Sequence, residues 1–159
     1  MKIHPRCAAL MLGLALAALP GCATSDDAAV KLGAKHVSTG DRFYIESGMP
    51  DDQPIAVRVI RGGTGKAIER GQTAVVHYTG TFADGTKFDS SRDRDKPFRF
   101  PLGARKVIRG WDLVVARMHI GDQWKVMIPY ALAYGTAGSS PVIPPATDLF
   151  FEMELLDIE

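Results

Sequence analysis

The run Thr73-Ala74-Val75-Val76-His77-Tyr78-Thr79-Gly80-Thr81-Phe82, which meets Asp84-Gly85 at its end, constrains the fold of this chain more than any other segment. It is dense in β-branched and aromatic residues, which suit a pleated, half-buried surface. Asp-Gly readily adopts the positive φ angles of a tight hairpin turn. A strand that turns back so sharply belongs in an antiparallel sheet. Further strand signals lie on both sides. Ile55-Ala56-Val57-Arg58-Val59-Ile60 alternates in part and stops at Gly62-Gly63, and Trp124-Lys125-Val126-Met127-Ile128 alternates up to Pro129. From Leu149 to Ile158 the pattern places Phe151, Met153 and Leu155 on one face and Glu152, Glu154 and Leu156 on the other.

One segment carries helical spacing. Val107, Ile108, Trp111, Val115 and Met118 recur three and four residues apart, and Gly121 follows as a stop. Arg117 falls on the exposed face of this helix. An antiparallel sheet needs one face covered, and the helix supplies the cover. The expected class is α+β, an antiparallel β-sheet wrapped around one short α-helix.

The 159 residues suit one domain plus appendages. With 46% hydrophobic residues the chain can build a core, and its net charge of +1 gives no global field to recruit nucleic acid. No repeat is visible. His4, His36, His77 and His119 are scattered without metal-ligand spacing, so no metal or other cofactor is expected. Gly62-Gly63-Thr64-Gly65-Lys66-Ala67 lacks the spacing of a phosphate loop and reads as a turn. The basic stretch from Arg92 to Arg109 is interleaved with Asp93 and Asp95, which favours a solvated loop over a nucleic-acid patch.

The N-terminus has a different character. Lys2 and Arg6 precede an apolar run from Ala8 to Leu19 that is too short to span a bilayer and ends at Pro20-Gly21, the pattern of a signal peptide. Leu19-Pro20-Gly21-Cys22 resembles a bacterial lipobox, which implies cleavage before Cys22 and lipidation of it; Pro20 departs from the usual small residue. Cys7 would be lost with the signal, leaving no intramolecular disulfide. Ala23 to Asp52 lacks sustained periodicity and reads as a tether, with Arg42-Phe43-Tyr44-Ile45 as the exception: a short extra strand or a partner contact. The expected organisation is a signal peptide over 1–21, a lipidated cysteine and flexible tether over 22–54, and a folded domain over 55–159. Ala23 after the cysteine resembles lipoproteins of the outer membrane, so a lipid-anchored envelope protein, facing the periplasm or the surface, is expected.

Several short motifs follow in one order: His77-Tyr78-Thr79-Gly80, Asp84-Gly85, Lys87-Phe88-Asp89-Ser90-Ser91-Arg92, Lys96-Pro97-Phe98, Val107-Ile108-Arg109-Gly110-Trp111, Ala133-Tyr134-Gly135 and Val142-Ile143-Pro144-Pro145. On residue type alone Trp111, Phe88, Phe98 and Phe151 would be core, Asp89 a turn former, and Tyr78 and Tyr134 partly buried tyrosines. Together, over about Ile55 to Glu159, they resemble the FKBP-type (immunophilin) peptidyl-prolyl cis-trans isomerases. Such chemistry needs no nucleophile. The barrier to rotation about an amide is about 18–20 kcal/mol of lost resonance, and a catalyst must bind the twisted amide better than the planar one. A dry aromatic cavity with a few fixed polar groups suffices.

The resemblance implies roles. Trp111 is the floor under the proline ring. Tyr78, Phe98, Val107, Ile108 and Phe151 are the walls, with Phe88 at the side. The Ile108 backbone N–H and the Tyr134 hydroxyl hold substrate carbonyls. Asp89, the family's buried aspartate, sits beside the rotating amide, oriented by Tyr78 with Arg94 nearby, and Ile143 closes over the ligand. It also implies proline-containing polypeptide clients and binding of macrolides such as FK506 and rapamycin. The competing class is a non-catalytic proline-peptide-binding or chaperone module; the joint presence of Asp89, Tyr78, Trp111 and Tyr134 favours the enzyme. Lys106, Ser139-Ser140-Pro141 and Pro101 depart from residues common in the family and bear on substrate preference and macrolide affinity. The short tether without helical pattern favours a monomer.

Overall fold

The computed structural model describes residues 37–48 and 53–159. The signal segment, Cys22 and most of the expected tether lie outside the described residues.

The described chain forms seven strands and one α-helix: β1 (Arg42–Ile45), β2 (Ile55–Arg61), β3 (Thr73–Thr81), β4 (Lys87–Ser90), β5 (Phe98–Pro101), α1 (Arg109–Val115), β6 (Gln123–Ile128) and β7 (Leu149–Ile158). They make a single antiparallel sheet in the order β1-β2-β6-β7-β3-β4, with β5 also paired to β3. β5 pairs the first half of β3 (Thr73 with Pro101, Val76 with Phe98) and β4 the second (Thr79 with Ser90). β4 and β5 therefore act as one interrupted edge, and the loop between them carries Arg94. This is the α+β class expected from the sequence, with the sheet laid around one short helix. Of the two readings of Arg42–Ile45, the extra strand is the one observed: Phe43 and Ile45 are buried, and β1 pairs β2, so the sheet begins before Ile55.

Alternation decides which face is covered. In β7 every second residue from Leu149 to Leu155 is buried, and Trp124, Val126 and Ile128 alternate likewise in β6. These side chains meet Trp111, Val114 and Val115 of α1 in one core. The helix lies very close to β6. A Cβ on Gly110 would sit 2.4 Å from the Ile128 side chain, so only glycine permits this approach.

The helix is shorter than its apolar spacing predicts. It ends at Val115, because Arg117 N–H and Met118 N–H donate to Val114 and Val115 carbonyls (3.0 Å each), i→i−3 bonds that tighten the chain out of the α register. Met118 is still buried, so the apolar stripe is real but is only partly helical. Arg117 accordingly leaves the exposed face where a longer helix would place it. It is half-buried, its Nη1 donates to the Leu113 carbonyl at 2.7 Å, and burial pushes its pKa down.

Candidate active site

The helix N-terminus, β3, β4, β5 and β7 converge on a cavity of about 170 Å³. Its floor is Trp111, 5% exposed, which presents its indole to a ring of edge-on aromatics. The centroids of Tyr78, Phe151 and Phe98 lie 4.9, 5.4 and 5.9 Å from that of Trp111, all at interplanar angles of 77–87°. Phe88 stands edge-on to Phe151 at 5.7 Å. Such T-shaped arrangements add to simple area burial and hold each ring in place. Val107, Ile108 and Tyr134 complete the lining together with Asp89 and Lys106. Tyr134 reaches the site from between two 3₁₀ turns, Tyr130–Leu132 and Gly135–Ala137, and remains 44% exposed.

One polar network stands at the margin. The Tyr78 hydroxyl donates to Asp89 Oδ2, Arg94 Nη1 donates to Asp89 Oδ1, and Arg94 Nη2 donates to the Tyr78 oxygen at 2.9 Å. Burial pushes the Tyr78 pKa up, and the bond to Asp89 pushes it the same way. Burial alone would raise the Asp89 pKa. Hydrogen bonds from Arg94 and Tyr78, with the Arg94 charge, outweigh it and hold the carboxyl below its ordinary value. The network thus keeps a neutral phenol against an ionised carboxylate over a wide pH range.

Tyr78 is pinned from behind. Its N–H donates to Ser91 Oγ at 2.9 Å, and its carbonyl accepts from Ser90 Oγ at 3.1 Å and Ser91 N at 3.1 Å. Both serines are buried. Sequence reasoning missed this role, reading the pair only as part of a motif and turn. The Ile108 N–H, just ahead of the helix, donates to no acceptor among the described residues, whereas its carbonyl accepts from Trp111 N at 3.0 Å. A free N–H at the cavity wall suits a carbonyl ligand.

The structure brings Tyr78, Phe88, Asp89, Phe98, Val107, Ile108, Trp111, Tyr134 and Phe151 together around one cavity. Arg94 acts from behind Asp89 and Tyr78 and is absent from the lining. Ile143 differs from its expected place. It is 6% exposed and packed into the core, its backbone held by an antiparallel bridge with Ser139, and it does not line the cavity. Asp89 differs too. Its side chain is 40% exposed and not buried, because β4 is an edge strand and the carboxylate faces the guanidinium from the loop. Among the described residues no group of His, Cys, Asp or Glu could hold a metal ion.

Residues 64–156 match the family model of the FKBP-type peptidyl-prolyl cis-trans isomerases. The chain belongs to the FKBP family. It is 53% identical over 91 residues to the peptidyl-prolyl cis-trans isomerase Fkbp12 of Drosophila melanogaster, covering 57% of this chain and 84% of that one. It is 45% identical over 106 residues to the peptidyl-prolyl cis-trans isomerase FKBP1A of Xenopus laevis, covering 66% and 98%. Among solved structures it is similar to FkpA from Escherichia coli, with a TM-score of 0.62, 40% identity and coverage of 67% of this chain and 48% of that one. This FKBP-type chain is a peptidyl-prolyl cis-trans isomerase, of a family that binds proline-containing peptides and macrolides.

Proposed function

We propose that this isomerase accelerates X-Pro rotation in folding proteins of the cell envelope by non-covalent stabilisation of the twisted amide. The observation that supports this most is a Trp111-floored aromatic cavity with the Tyr78–Asp89–Arg94 network at its margin. The proline ring rests on Trp111 and replaces water there. As the amide twists, its carbonyl loses resonance charge, and an apolar wall tolerates that state better than water does. The Ile108 N–H and the Tyr134 hydroxyl hold carbonyls of the substrate, and Asp89, fixed by Tyr78 and Arg94, faces the rotating bond. No group is a nucleophile. FK506 and rapamycin occupy the same cavity through their pipecolyl ring, and the domain acts as a monomer.

The envelope setting rests on the sequence: the apolar run Ala8 to Leu19 and the lipobox-like Leu19-Pro20-Gly21-Cys22. Lipidation at Cys22 anchors the chain, in the outer membrane given Ala23. Stable anchoring takes more than one acyl chain, each buried methylene contributing about 0.8 kcal/mol. A triacylated cysteine meets that requirement.

Two measurements test the reading. A protease-coupled isomerisation assay on short proline peptides, competed with rapamycin, separates an enzyme from a mere proline-peptide holder; binding without acceleration would establish the holder. Membrane fractionation of Cys22→Ser tests the anchor, which fails if that variant stays as membrane-bound as the parent.

A further inference from the structure

The outer face of the sheet, turned away from α1, carries a second concavity that the isomerase site does not use. It is a groove of about 580 Å³ crossing β1, β2, β6 and β7 and bounded by the β3–β4 turn. Strand register sorts its residues into two neighbouring rows. One row is Arg42, Arg58, Lys125 and Glu152, each directly opposite the next. The other is Tyr44, Ala56, Met127 and Phe150, in the same register two residues along.

The first row is electrostatically unfavourable as it stands. Three cations stand side by side on adjacent strands, and like charges directly opposite one another oppose sheet pairing. Lys125 is offset by Glu152 at 3.4 Å. Arg42 and Arg58 are exposed and have no ion-pair partner among the described residues. The second row is apolar and only partly covered: Ala56, Met127 and Phe150 are half-buried. Tyr44 is 68% exposed, and the small Ala56 between Tyr44 and Met127 makes the depression. Guanidinium groups with no ion-pair partner among the described residues, beside an apolar trough, complement an extended segment with carboxylates on one side and an apolar side chain on the other.

The groove also adjoins the proline cavity. Phe82 lines the groove and packs on Phe88 at 5.0 Å; Phe88 lines the cavity. Phe151 borders both. A chain leaving the cavity past Phe88 therefore meets an aromatic path around the turn at Phe82.

We infer that this groove is a second polypeptide site, which takes an acidic and apolar segment of the same client whose proline occupies the cavity. It rests on the isomerase reading only in making the client the occupant. Binding at two linked sites makes the second contact intramolecular and strengthens the whole without changing the chemistry at the proline.

The test uses the full chain and two fluorescein-labelled peptides. The short one is Ala-Leu-Pro-Phe. The long one adds a Gly-Ser spacer of about ten residues, reaching about 35 Å when extended, and then Glu-Phe-Glu-Leu-Glu. Anisotropy should show the long peptide bound at least about tenfold more tightly, and the double variant Arg42→Glu/Arg58→Glu should abolish that advantage. A long peptide ending in Lys-Phe-Lys-Leu-Lys should regain it on the charge-reversed variant. Equal affinity of parent and variant for the acidic peptide overturns the proposal. So does a variant that keeps peptide binding but loses binding to phosphatidylglycerol vesicles, which would assign the face to lipid. Failure of the parent to accelerate isomerisation of the short peptide is a separate outcome and counts against the enzyme, not the groove. Thermal melts of the variant confirm that it is folded.

Discussion

Tyr78 and Asp89 meet diagonally across the β3–β4 pair, where Asp89 stands opposite Gly80: the phenol donates to one carboxylate oxygen while Arg94 binds the other. One strand supplies the aromatic wall and the next the charge, so the hairpin itself sets their geometry. If this pair only tunes a cavity that already favours the twisted amide, its loss should be graded. Asp89→Leu and Tyr78→Phe are each expected to lower kcat/KM by about ten- to a hundredfold, or about 1.4–2.8 kcal/mol of transition-state stabilisation, while the domain stays folded. Activity per folded molecule, with melts as the control, is the measurement. Full activity in both variants would leave the aromatic walls alone to account for the rate.

The same network sets a pH dependence. Asp89 has a depressed pKa, so the stability and geometry contributed by its carboxylate are present above the ordinary aspartate value of about 4 and are lost as pH falls through the lower folded value. Tyr78 has a raised pKa, so what its neutral phenol contributes is present below about 10 and is lost as pH rises through the higher folded value. Between those limits neither group changes ionisation. The kcat/KM profile on an uncharged proline peptide should be flat from about pH 5 to 9. A bell centred near neutrality would assign the reaction a titrating acid or base that this site does not contain.

Trp111 joins catalysis to stability. It is 5% exposed and lies within 6 Å, centroid to centroid, of Tyr78, Phe98, Phe100 and Phe151. Trp111→Ala removes the cavity floor and opens a void at the helix–sheet junction. A loss of about 3–5 kcal/mol in unfolding free energy is expected, together with loss of rapamycin binding. Denaturant unfolding monitored alongside the isomerase assay checks both.

Much of this was legible in the sequence, and the reasons are physical. Burial alternates in β6 and in β7 as far as Leu155 because one face packs on α1, so period-two patterning marked these strands even though Met127, Phe150 and Leu156 put apolar residues on the other face. The cavity-lining aromatics could not be told from core residues by type, since Trp111 and Phe151 are buried in both senses. Ordered motifs, not periodicity, singled them out. Three features were not legible. The helix stops at Val115 through i→i−3 bonds that no side-chain pattern announces. Ile143 packs into the core beside a backbone bridge to Ser139 that its residue type does not announce. The cationic row of Arg42, Arg58 and Lys125 comes from three strands far apart in sequence and exists only once their register is set.

Asp122 carried no signal in the sequence at all, yet it is fully buried. Its Oδ1 accepts from Gly63 N at 2.7 Å and its Oδ2 from His119 N at 2.6 Å, tying the turn after β2 to the segment before β6. The turn comes so close that a Cβ on Gly63 would stand 2.4 Å from both Asp122 N and the Ile120 carbonyl oxygen. Two substitutions should therefore weaken the same junction by different means. Asp122→Ala leaves two backbone donors without their acceptor, each costing about 1–3 kcal/mol where water cannot reach. Gly63→Ala forces backbone apart, since no flexible side chain lies there to yield. Both variants should lower Tm while rapamycin affinity of the folded fraction stays near the parent's, because neither residue lines the proline cavity. Asp122→Asn keeps one oxygen acceptor and should fall between Asp122→Ala and the parent in denaturant unfolding. An Asp122→Ala protein as stable as the parent would mean that those two N–H groups find other acceptors, and the junction would not depend on this carboxylate.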